Sequence, residues 1–231
     1  MNESITLFWS FRSPYSYIAL PRVIALSERF GVPLDIRVVH PAALRNPDYF
    51  RGMNPLARPY FMLDSARAAA FQGMPFRRPI PDPIAQDPAT LAFSPDQPLA
   101  RRLGRLGVAA TQRGRGVTFC LEVSRLLWEG QVDGWDKDDH LARATARAGL
   151  DLAELDAAIA ASADTHEEML ASNDRALRQA GHWGVPTMVY RGEPFFGQDR
   201  IDVLAWRLDG SLARGTGVDR RRSGDPPQRT L

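Results

Sequence analysis

Residues 5–17 read ITLFWSFRSPYSY, and this stretch decides the fold class. Its first five residues form a compact run of β-branched and aromatic side chains, which predicts a buried strand. Ser13 followed by Pro14 predicts a helix start, because serine is favoured at the N-cap and proline at the first helical position. Gly31 predicts the end of that helix, and residues 34–39 predict a second strand. The resulting βαβ order favours an α/β fold with parallel strands.

Beyond this opening, strand signals disappear for about 140 residues and helical spacing takes over. The predicted helices span residues 58–72, 98–111, 115–130, 137–148, 151–162 and 165–180. Seven prolines between residues 75 and 98 are too many for regular structure, so this segment is predicted to be an irregular loop. Strand signals return at residues 185–190, and a turn leads to residues 194–196, which predicts a hairpin. Gly197 opens the last predicted helix.

The predicted elements divide the chain into three parts. Their order is βαβ, then helices, then ββα, which is the order of a thioredoxin-like domain with a large all-helical insertion. We therefore assign residues 1–40 and 181–213 to the thioredoxin-like domain and residues 41–180 to the insertion. Residues 214–231 hold five arginines and no aromatic residue, which predicts a basic, disordered tail that the activity does not need.

Composition excludes several classes of protein. The 231 residues carry a formal net charge of +2, with 44% hydrophobic and 24% charged residues, unlike a disordered, coiled-coil or collagen-like chain. All but one of the 29 basic residues are arginines, which we attribute to coding bias, and we expect no nucleic-acid partner. No apolar stretch reaches about 18 residues, and the acidic start does not match a signal peptide. We therefore expect a cytoplasmic protein with no membrane partner.

The chain contains a single cysteine, Cys120. One cysteine cannot form an intramolecular disulfide, a CxxC redox pair or a multi-thiolate zinc site, and we predict no metal site. Cys120 lies within the predicted helix at residues 115–130, whose wide apolar face suits a core position. We therefore predict that Cys120 is a small buried side chain rather than a reactive thiol.

The first βα turn is where an open α/β sheet places its ligands, and a helix N-terminus stabilises a thiolate. Here the turn carries Ser13, and Ser16 stands where the second cysteine of a CxxC pair would be. The protein therefore either imports its thiol or performs no thiol chemistry. Two roles stay open for Ser13: its hydroxyl donates a hydrogen bond to an incoming thiolate, or it is only the helix N-cap.

Two further motifs follow near the end of the chain. Pro186 stands at the start of a strand, so the Val185-Pro186 bond is a candidate cis bond that would turn the Val185 backbone toward the first βα turn. The alternative is a trans proline at the start of an edge strand. Asp199, near a helix start, is either a plain N-cap or the acceptor for an α-ammonium group. Arg200 either binds a carboxylate or pairs with Asp202.

Three motifs in fixed order carry a resemblance to a known family. They read SPYSY at residues 13–17, WGVPT at residues 183–187 and FGQDR at residues 196–200. Further matches are Asn54, Pro55, Tyr60 and Asp64. Over roughly residues 4–208, the chain resembles the 2-hydroxychromene-2-carboxylate isomerases and the related kappa-class glutathione transferases, which share a DsbA-like thioredoxin fold. The resemblance implies a DsbA-like insertion and a homodimer.

The resemblance also implies a glutathione site built from these motifs. Ser13 would activate the glutathione sulfur, and the backbone of Val185, before Pro186, would pair with the cysteinyl residue. The γ-glutamyl end would be held by Gln198, Asp199 and Arg200.

The implied substrate is a small aromatic carboxylate. The residues on its side of the site would be Phe11, Tyr15, Asn54, Pro55, Arg58 and Trp183. Asn54 lines the glutathione side or the substrate side. One position departs from the family, which usually has a lysine where Ala57 stands. Arg58 lies beside it, and we interpret it as the substitute, because a guanidinium pairs well with a carboxylate.

The activity that the resemblance implies is a glutathione-dependent cis–trans isomerisation of 2-hydroxychromene-2-carboxylate to trans-o-hydroxybenzylidenepyruvate. The glutathione thiolate would add to a conjugated carbon of the ring-opened substrate, the former double bond would rotate, and elimination of the thiolate would restore it. Two alternatives stay open. One is a general kappa-like glutathione transferase that releases the conjugate, and the other is a non-catalytic thioredoxin-like binding module.

Overall fold

The computed structural model describes residues 3–46, 52–87 and 92–215, and within them four strands form one mixed sheet. The strands are β1 (Ile5–Trp9), β2 (Leu34–Val38), β3 (Thr187–Tyr190) and β4 (Glu193–Phe196), in the sheet order β2-β1-β3-β4. β1 runs parallel to β2, with Leu7 opposite Ile36, and antiparallel to β3, with Leu7 opposite Met188. The predicted α/β class, with βαβ before the helical block and ββα after it, is confirmed.

Helices occupy most of the chain between the two halves of the sheet. They are α1 (Pro14–Phe30), α2 (Ala42–Arg45), α3 (Ala57–Phe71), α4 (Pro98–Gln112), α5 (Gly116–Trp128), α6 (His140–Arg147), α7 (Leu152–Ala161), α8 (Ala163–Gln179) and α9 (Ile201–Gly215). A 3₁₀ turn at Gln198–Arg200 precedes α9. The predicted helices are present with bounds shifted by a few residues. Helix α2 is present but was not predicted, because four residues are too few to show a helical period.

The end of the described residues overlaps the predicted tail. Helix α9 ends at Gly215, two residues inside the predicted tail, and residues 216–231 lie outside the described residues. The division into two domains stays a prediction.

Local sequence sets both ends of α1. Ser13 is its N-cap and Pro14 occupies its first turn, as predicted. Gly31 ends the helix in the left-handed region with φ of 62°, where a residue without Cβ is favoured. Because α1 begins directly after the carboxyl end of β1, Ser13 lies at the edge of the sheet where α/β proteins bind ligands.

One cluster of buried apolar side chains joins the sheet to the helices that precede β3 in the chain. Trp9 and Phe11, at the end of β1, meet edge to face with ring centroids 4.6 Å apart, and Phe11 meets Phe119 of α5 at 6.0 Å. Trp128 Nε1 donates a hydrogen bond to Phe11 O at 2.9 Å. These contacts hold the turn between β1 and α1 against α5.

The described residues contain neither a candidate membrane helix nor a candidate metal-binding cluster. None of the helices there is long and apolar enough to cross a membrane. No group of three or more histidine, cysteine, aspartate or glutamate side chains in these residues is arranged to hold a metal ion. The half-buried acidic side chains Asp82 and Glu167 pair with arginines instead.

Candidate active site

Ser13 lies half-buried at the N-terminus of α1, and its hydroxyl group is contacted from two sides. Oγ accepts a hydrogen bond from the Ser16 N–H at 3.2 Å, and the hydroxyl donates to Val185 O at 3.4 Å. A distance of 3.4 Å is long for an O–H···O hydrogen bond, so Val185 O holds this proton weakly. The oxygen is thus fixed in place while its proton stays available to a ligand.

The backbone donors at the start of α1 are only partly used. Ser13 N–H donates to Ser10 O at 3.1 Å, Pro14 has no N–H, and Tyr17 N–H donates to Ser13 O at 3.1 Å. No acceptor in the described residues binds the Tyr15 N–H. The Tyr15 N–H and the Ser13 hydroxyl are therefore two donors at the positive end of the helix dipole.

The loop before β3 lies against Ser13 and carries the second motif. The Val185-Pro186 peptide bond is cis, which confirms the candidate cis bond. Pro186 O accepts a hydrogen bond from the Gly197 N–H at 2.9 Å, which joins this loop to the turn after β4. Across the part of the chain that the structure describes, the Val185 N–H has no acceptor. One backbone donor next to Ser13 is therefore open.

Gly197 permits the shape of the 3₁₀ turn that carries Asp199. Its φ is 101°, a conformation that favours glycine, and a Cβ at this position would lie 2.5 Å from Asp199 Oδ1. Arg22 of α1 holds the turn by donating to Gln198 O at 2.8 Å and to Gln198 Oε1 at 3.1 Å. The third motif is therefore tied to α1 as well as to the cis-proline loop.

Arg200, in the 3₁₀ turn, does not form one of the two contacts predicted for it. Arg200 lies 3.6 Å from Asp199, and the partner of Asp202 is Arg22 at 3.4 Å, so the predicted pairing of Arg200 with Asp202 is wrong. Asp199 and Arg200 are both exposed. Both charges therefore face solvent, where a ligand has access to them.

Helix α3 covers the start of α1 through Tyr15. The Tyr15 hydroxyl donates to Asp64 Oδ2 at 2.5 Å, and its ring packs edge to face on Phe61 with centroids 5.2 Å apart. Burial raises the pKa of Tyr15, the hydrogen bond and charge of Asp64 raise it further, and Tyr60 and Asp199 also contribute. The Tyr15 phenol is therefore neutral at physiological pH, and Asp199 of the third motif lies within electrostatic reach of α1.

The residues predicted at the entrance to α3 have no hydrogen bond to Ser13 in the described residues. Asn54 is exposed, and its Oδ1 accepts a hydrogen bond from the Leu56 N–H at 2.9 Å, a turn that leads into α3. Pro55 is exposed and Arg58 is half-buried. Contacts of Asn54, Pro55 and Arg58 with a ligand stay a prediction.

Two aromatic residues predicted on the substrate side lie in different environments. Phe11 is buried between Trp9 and Phe119, so its ring serves core packing rather than ligand contact. Trp183 is 36% exposed and stacks on the preceding histidine with ring centroids 5.6 Å apart. Of Phe11 and Trp183, only Trp183 presents ring surface to a ligand.

The sequence did not reveal an ionic group next to Ser13. Arg12 donates from Nε and Nη2 to the two carboxylate oxygens of Asp82 at 3.0 and 2.9 Å, and Arg78 Nη2 donates to Asp82 Oδ2 at 2.7 Å. Burial raises the pKa of Asp82, but the hydrogen bonds and charge of Arg12 outweigh it, and the pKa lies below its usual value. Because 70 positions separate Arg12 from Asp82, no local pattern signals their contact.

Cys120 is completely buried in α5, which confirms its prediction as a core residue. Burial raises the pKa of its thiol well above the usual value, so the thiol stays protonated. The start of α1 therefore combines Ser13 and Ser16 with open donors, and the one thiol of the chain has no access to it.

Residues 4–209 match the sequence profile of the DSBA-like thioredoxin domain. The chain belongs to the DSBA-like thioredoxin domain family. The match covers almost the same residues as the resemblance noted in the sequence, and the DsbA-like thioredoxin fold predicted there is confirmed. The one cysteine of this DSBA-like domain, Cys120, is buried, and serines stand at positions 13 and 16 at the start of α1.

Solved structures share the DSBA-like fold. A 2-hydroxychromene-2-carboxylate isomerase matches with a TM-score of 0.72 at 17% identity, over 93% of this chain and 98% of that one. The cytosolic disulfide reductase DsbM from Pseudomonas aeruginosa matches with a TM-score of 0.62 at 18% identity, over 91% and 99%. DsbM with GSH matches with a TM-score of 0.57 at 16% identity, over 90% and 98%. Identities this low show a common fold, and no curated protein sequence matches the chain.

Proposed function

We propose that the protein is a glutathione-dependent cis–trans isomerase of an aromatic hydroxy-acid or pyruvate compound, of the type that converts 2-hydroxychromene-2-carboxylate to trans-o-hydroxybenzylidenepyruvate. The observation that carries this proposal is the contact of Ser13 with Val185 at the start of α1, in a chain whose only thiol, Cys120, is buried. A dithiol mechanism needs two cysteines, and the chain has one. A site with donors for a thiolate and no thiol of its own fits a thiol that comes from outside.

The open polar groups near Ser13 fit the polar groups of glutathione, which is a short extended peptide. The Val185 N–H, beside Pro186 and without an acceptor in the described residues, would donate to the cysteinyl carbonyl. Asp199, exposed on the 3₁₀ turn, would bind the α-ammonium group of the γ-glutamyl end. Its neighbours in the turn, Gln198 and Arg200, would complete the contact with that end.

When bound, glutathione supplies a thiolate whose reversible addition to a conjugated carbon turns the double bond into a single bond that can rotate. The Ser13 hydroxyl and the Tyr15 N–H would donate hydrogen bonds to the sulfur, and the dipole of α1 favours its negative charge. The Ser16 N–H keeps the Ser13 oxygen in place while its proton, which is held weakly by Val185 O, turns to the ligand. The Tyr15 phenol stays bound to Asp64.

The aromatic carboxylate substrate would lie between α1 and α3. The residues that would line it are Tyr15, Asn54, Pro55, Arg58 and Trp183. A guanidinium pairs with a carboxylate through two parallel hydrogen bonds, which supports the assignment of Arg58 to the substrate. Phe11 would not contact the substrate, because its ring is buried in the core.

We place the protein in the cytoplasm, where glutathione stays reduced. The resemblance in the sequence supports a homodimer, and analytical ultracentrifugation of the purified protein measures it. A mass of one chain at micromolar concentration would contradict the dimer.

The direct test adds 2-hydroxychromene-2-carboxylate to the purified protein, with and without glutathione, and follows the absorbance of the open pyruvate. Isomerisation that depends on glutathione supports the proposal, and its absence at saturating glutathione contradicts it. Mass spectrometry of the products separates the kappa-like transferase from the isomerase. A transferase consumes glutathione and releases a conjugate, whereas an isomerase regenerates it.

Retention on glutathione-agarose tests the binding site without a substrate. Asp199→Ala should lose retention, because it removes the proposed partner of the α-ammonium group. Asp202→Ala is the matched control, because Asp202 is exposed and its partner is Arg22 at 3.4 Å. A wild-type protein that is not retained would favour the non-catalytic binding module over both enzymes.

A further inference from the structure

The ionic group next to Ser13 holds more positive than negative charge. Asp82 accepts two hydrogen bonds from Arg12, one from Arg78 and one from the Ile84 N–H at 2.9 Å. Four hydrogen bonds use up the acceptor capacity of one carboxylate. Two guanidinium groups therefore share a single negative charge, although the three side chains are only between 18% and 37% exposed.

The two arginines differ in the donors that they have left. Arg12 binds both oxygens of Asp82 through Nε and Nη2, and its side chain is 18% exposed. Arg78 binds Asp82 through Nη2 alone, and its side chain is 37% exposed. Within the described ranges, Nε and Nη1 of Arg78 have no acceptor. Arg78 therefore keeps accessible donors while Asp82 fixes its position.

A third positive charge, that of Arg58, acts electrostatically on Arg78. Arg58, half-buried at the start of α3, forms no ion pair with any residue that the structure describes. Burial lowers the pKa of Arg78, Asp82 opposes this, and the charges of Arg12 and Arg58 lower it further. Half-buried positive charges without enough counter-charge attract an anion.

We propose that Arg78 binds a carboxylate group of the ligand that lies against Ser13, with Asp82 holding the guanidinium in place. Arg12 directly precedes Ser13 in the chain, so one member of the ionic group is attached next to the start of α1. This role rests on the proposed function, which defines the ligand. A guanidinium that is held in position orients a planar carboxylate as well as attracting it, and less freedom is lost on binding.

Two carboxylates at this site have the required chemistry. One belongs to the aromatic substrate and the other to the glycine residue of glutathione. Both would approach the same start of α1, and kinetics distinguish them because the two compounds are varied independently.

Arg78→Gln tests the proposal, because it removes the charge and keeps a side-chain N–H for Asp82. Arg77→Gln is the matched control, because Arg77 loses the same charge one residue earlier but pairs with Asp133 and donates to Val132 O at 3.2 Å. The isomerisation is measured while substrate and glutathione are titrated separately. We expect Arg78→Gln to raise the KM for one of them by about ten-fold with little change in kcat, and Arg77→Gln to match the wild type.

The compound whose KM rises identifies the carboxylate that Arg78 binds. A rise for the substrate assigns the substrate carboxylate, and a rise for glutathione assigns its glycine carboxylate. Unchanged KM values for both compounds in a folded Arg78→Gln protein overturn the proposal. Arg78→Met, a second uncharged variant, takes the place of Arg78→Gln if circular dichroism shows that the glutamine variant does not fold.

Calorimetric binding of benzoate to the protein without glutathione separates this inference from the proposed function. Binding that weakens about ten-fold in Arg78→Gln and stays unchanged in Arg77→Gln supports the role of Arg78, even where no isomerisation occurs. Benzoate binding that depends on Arg78, in a protein that catalyses no isomerisation, would contradict only the proposed isomerase activity. Two results overturn the role of Arg78 when the KM values are also unchanged. One is equal benzoate binding by the wild type, Arg78→Gln and Arg77→Gln, and the other is no benzoate binding by the wild type. Neither result contradicts the isomerase activity.

Discussion

Ser13 and Cys120 have side chains of similar size in opposite surroundings. Ser13 Oγ is half-buried at the start of α1, where the Ser16 N–H fixes the oxygen and Val185 O holds the proton weakly. Cys120 is enclosed in α5, where burial raises the pKa of its thiol. The start of α1 is accessible but carries no thiol, and the thiol of Cys120 is not accessible to solvent. The position of a nucleophilic group, more than its presence, therefore decides the chemistry.

Moving a thiol to the start of α1 should give the largest effect. In Ser13→Cys, the helix dipole and the Tyr15 N–H should lower the pKa of the introduced thiol below about 8.5. Its reaction with an aromatic disulfide reagent should be at least about a thousand-fold faster than that of Cys120, which reacts only when the core opens. Stopped-flow absorbance measures both thiols in one protein. Similar rates would break the contrast between the two regions.

Removing the hydroxyl should give the next largest effect. Ser13→Ala should lower kcat/KM of the isomerisation by about 100-fold, because one donor to the sulfur is lost. The loss of the N-cap should also lower the free energy of unfolding by about 1 kcal/mol. Ser16→Ala is the matched control, because the Ser16 hydroxyl is buried with no hydrogen-bond partner in the described residues and its N–H is kept. Equal activity of Ser13→Ala and Ser16→Ala would contradict the role of Ser13 as a donor to the sulfur.

Cys120→Ala tests the other region and should reverse the pattern. It removes one sulfur atom from a close-packed core, so the free energy of unfolding should fall by about 1 kcal/mol. The kcat/KM of the isomerisation should stay at the wild-type value. Urea unfolding and steady-state kinetics on the same preparation measure both quantities. A loss of activity at unchanged stability would show that Cys120 takes part in the reaction.

Burial acts on His40 as it acts on Cys120, by favouring the neutral form. Burial lowers the pKa of His40, Glu167 at 2.8 Å opposes this, and the charges of Arg101 and Arg105 lower it further. The folded-state pKa lies below the unfolded value of about 6.5. The contribution of neutral His40 to the free energy of unfolding is therefore complete above about pH 6.5. It is lost as the pH falls through the lowered pKa.

His40→Gln should flatten this pH dependence, which is the smallest of the expected effects. One proton contributes a slope of at most about 1.4 kcal/mol per pH unit. Urea unfolding between about pH 7 and pH 5 gives the slope for the wild type and the variant. His140→Gln, at the start of α6, controls for the loss of a histidine. Parallel curves for the wild type and His40→Gln would contradict the buried neutral imidazole.

The order of helices and strands could be predicted because each depends on neighbouring residues. Ser13 and Pro14 start α1, and Gly31 ends it, through capping that is local to the chain. Helix α2 escaped prediction because four residues are too few to show a period. The placement of Phe11 also escaped, because the pattern of a strand does not say which aromatic ring beyond its end turns into the core.

The candidate site could be predicted residue by residue but not contact by contact. The turn with Ser13 and the proline at 186 stand out in the sequence, and the structure adds the hydrogen bonds that connect Ser13 to Val185 and Pro186 to Gly197. The pairing of Arg12 with Asp82 spans 70 positions and ends in a proline-rich segment without a period. Contacts of that kind depend on the tertiary fold, which local propensity does not encode.

The central claim is that the start of α1 activates the thiol of glutathione. Ultraviolet difference absorbance of the thiolate, followed as the pH is raised with the protein in excess over glutathione, gives the pKa of the bound thiol. We predict a pKa at least about one unit below that of free glutathione in the wild type, and a value close to that of free glutathione in Ser13→Ala. A bound thiol that titrates like free glutathione in the wild type, or one whose pKa is lowered equally in Ser13→Ala, would contradict the claim.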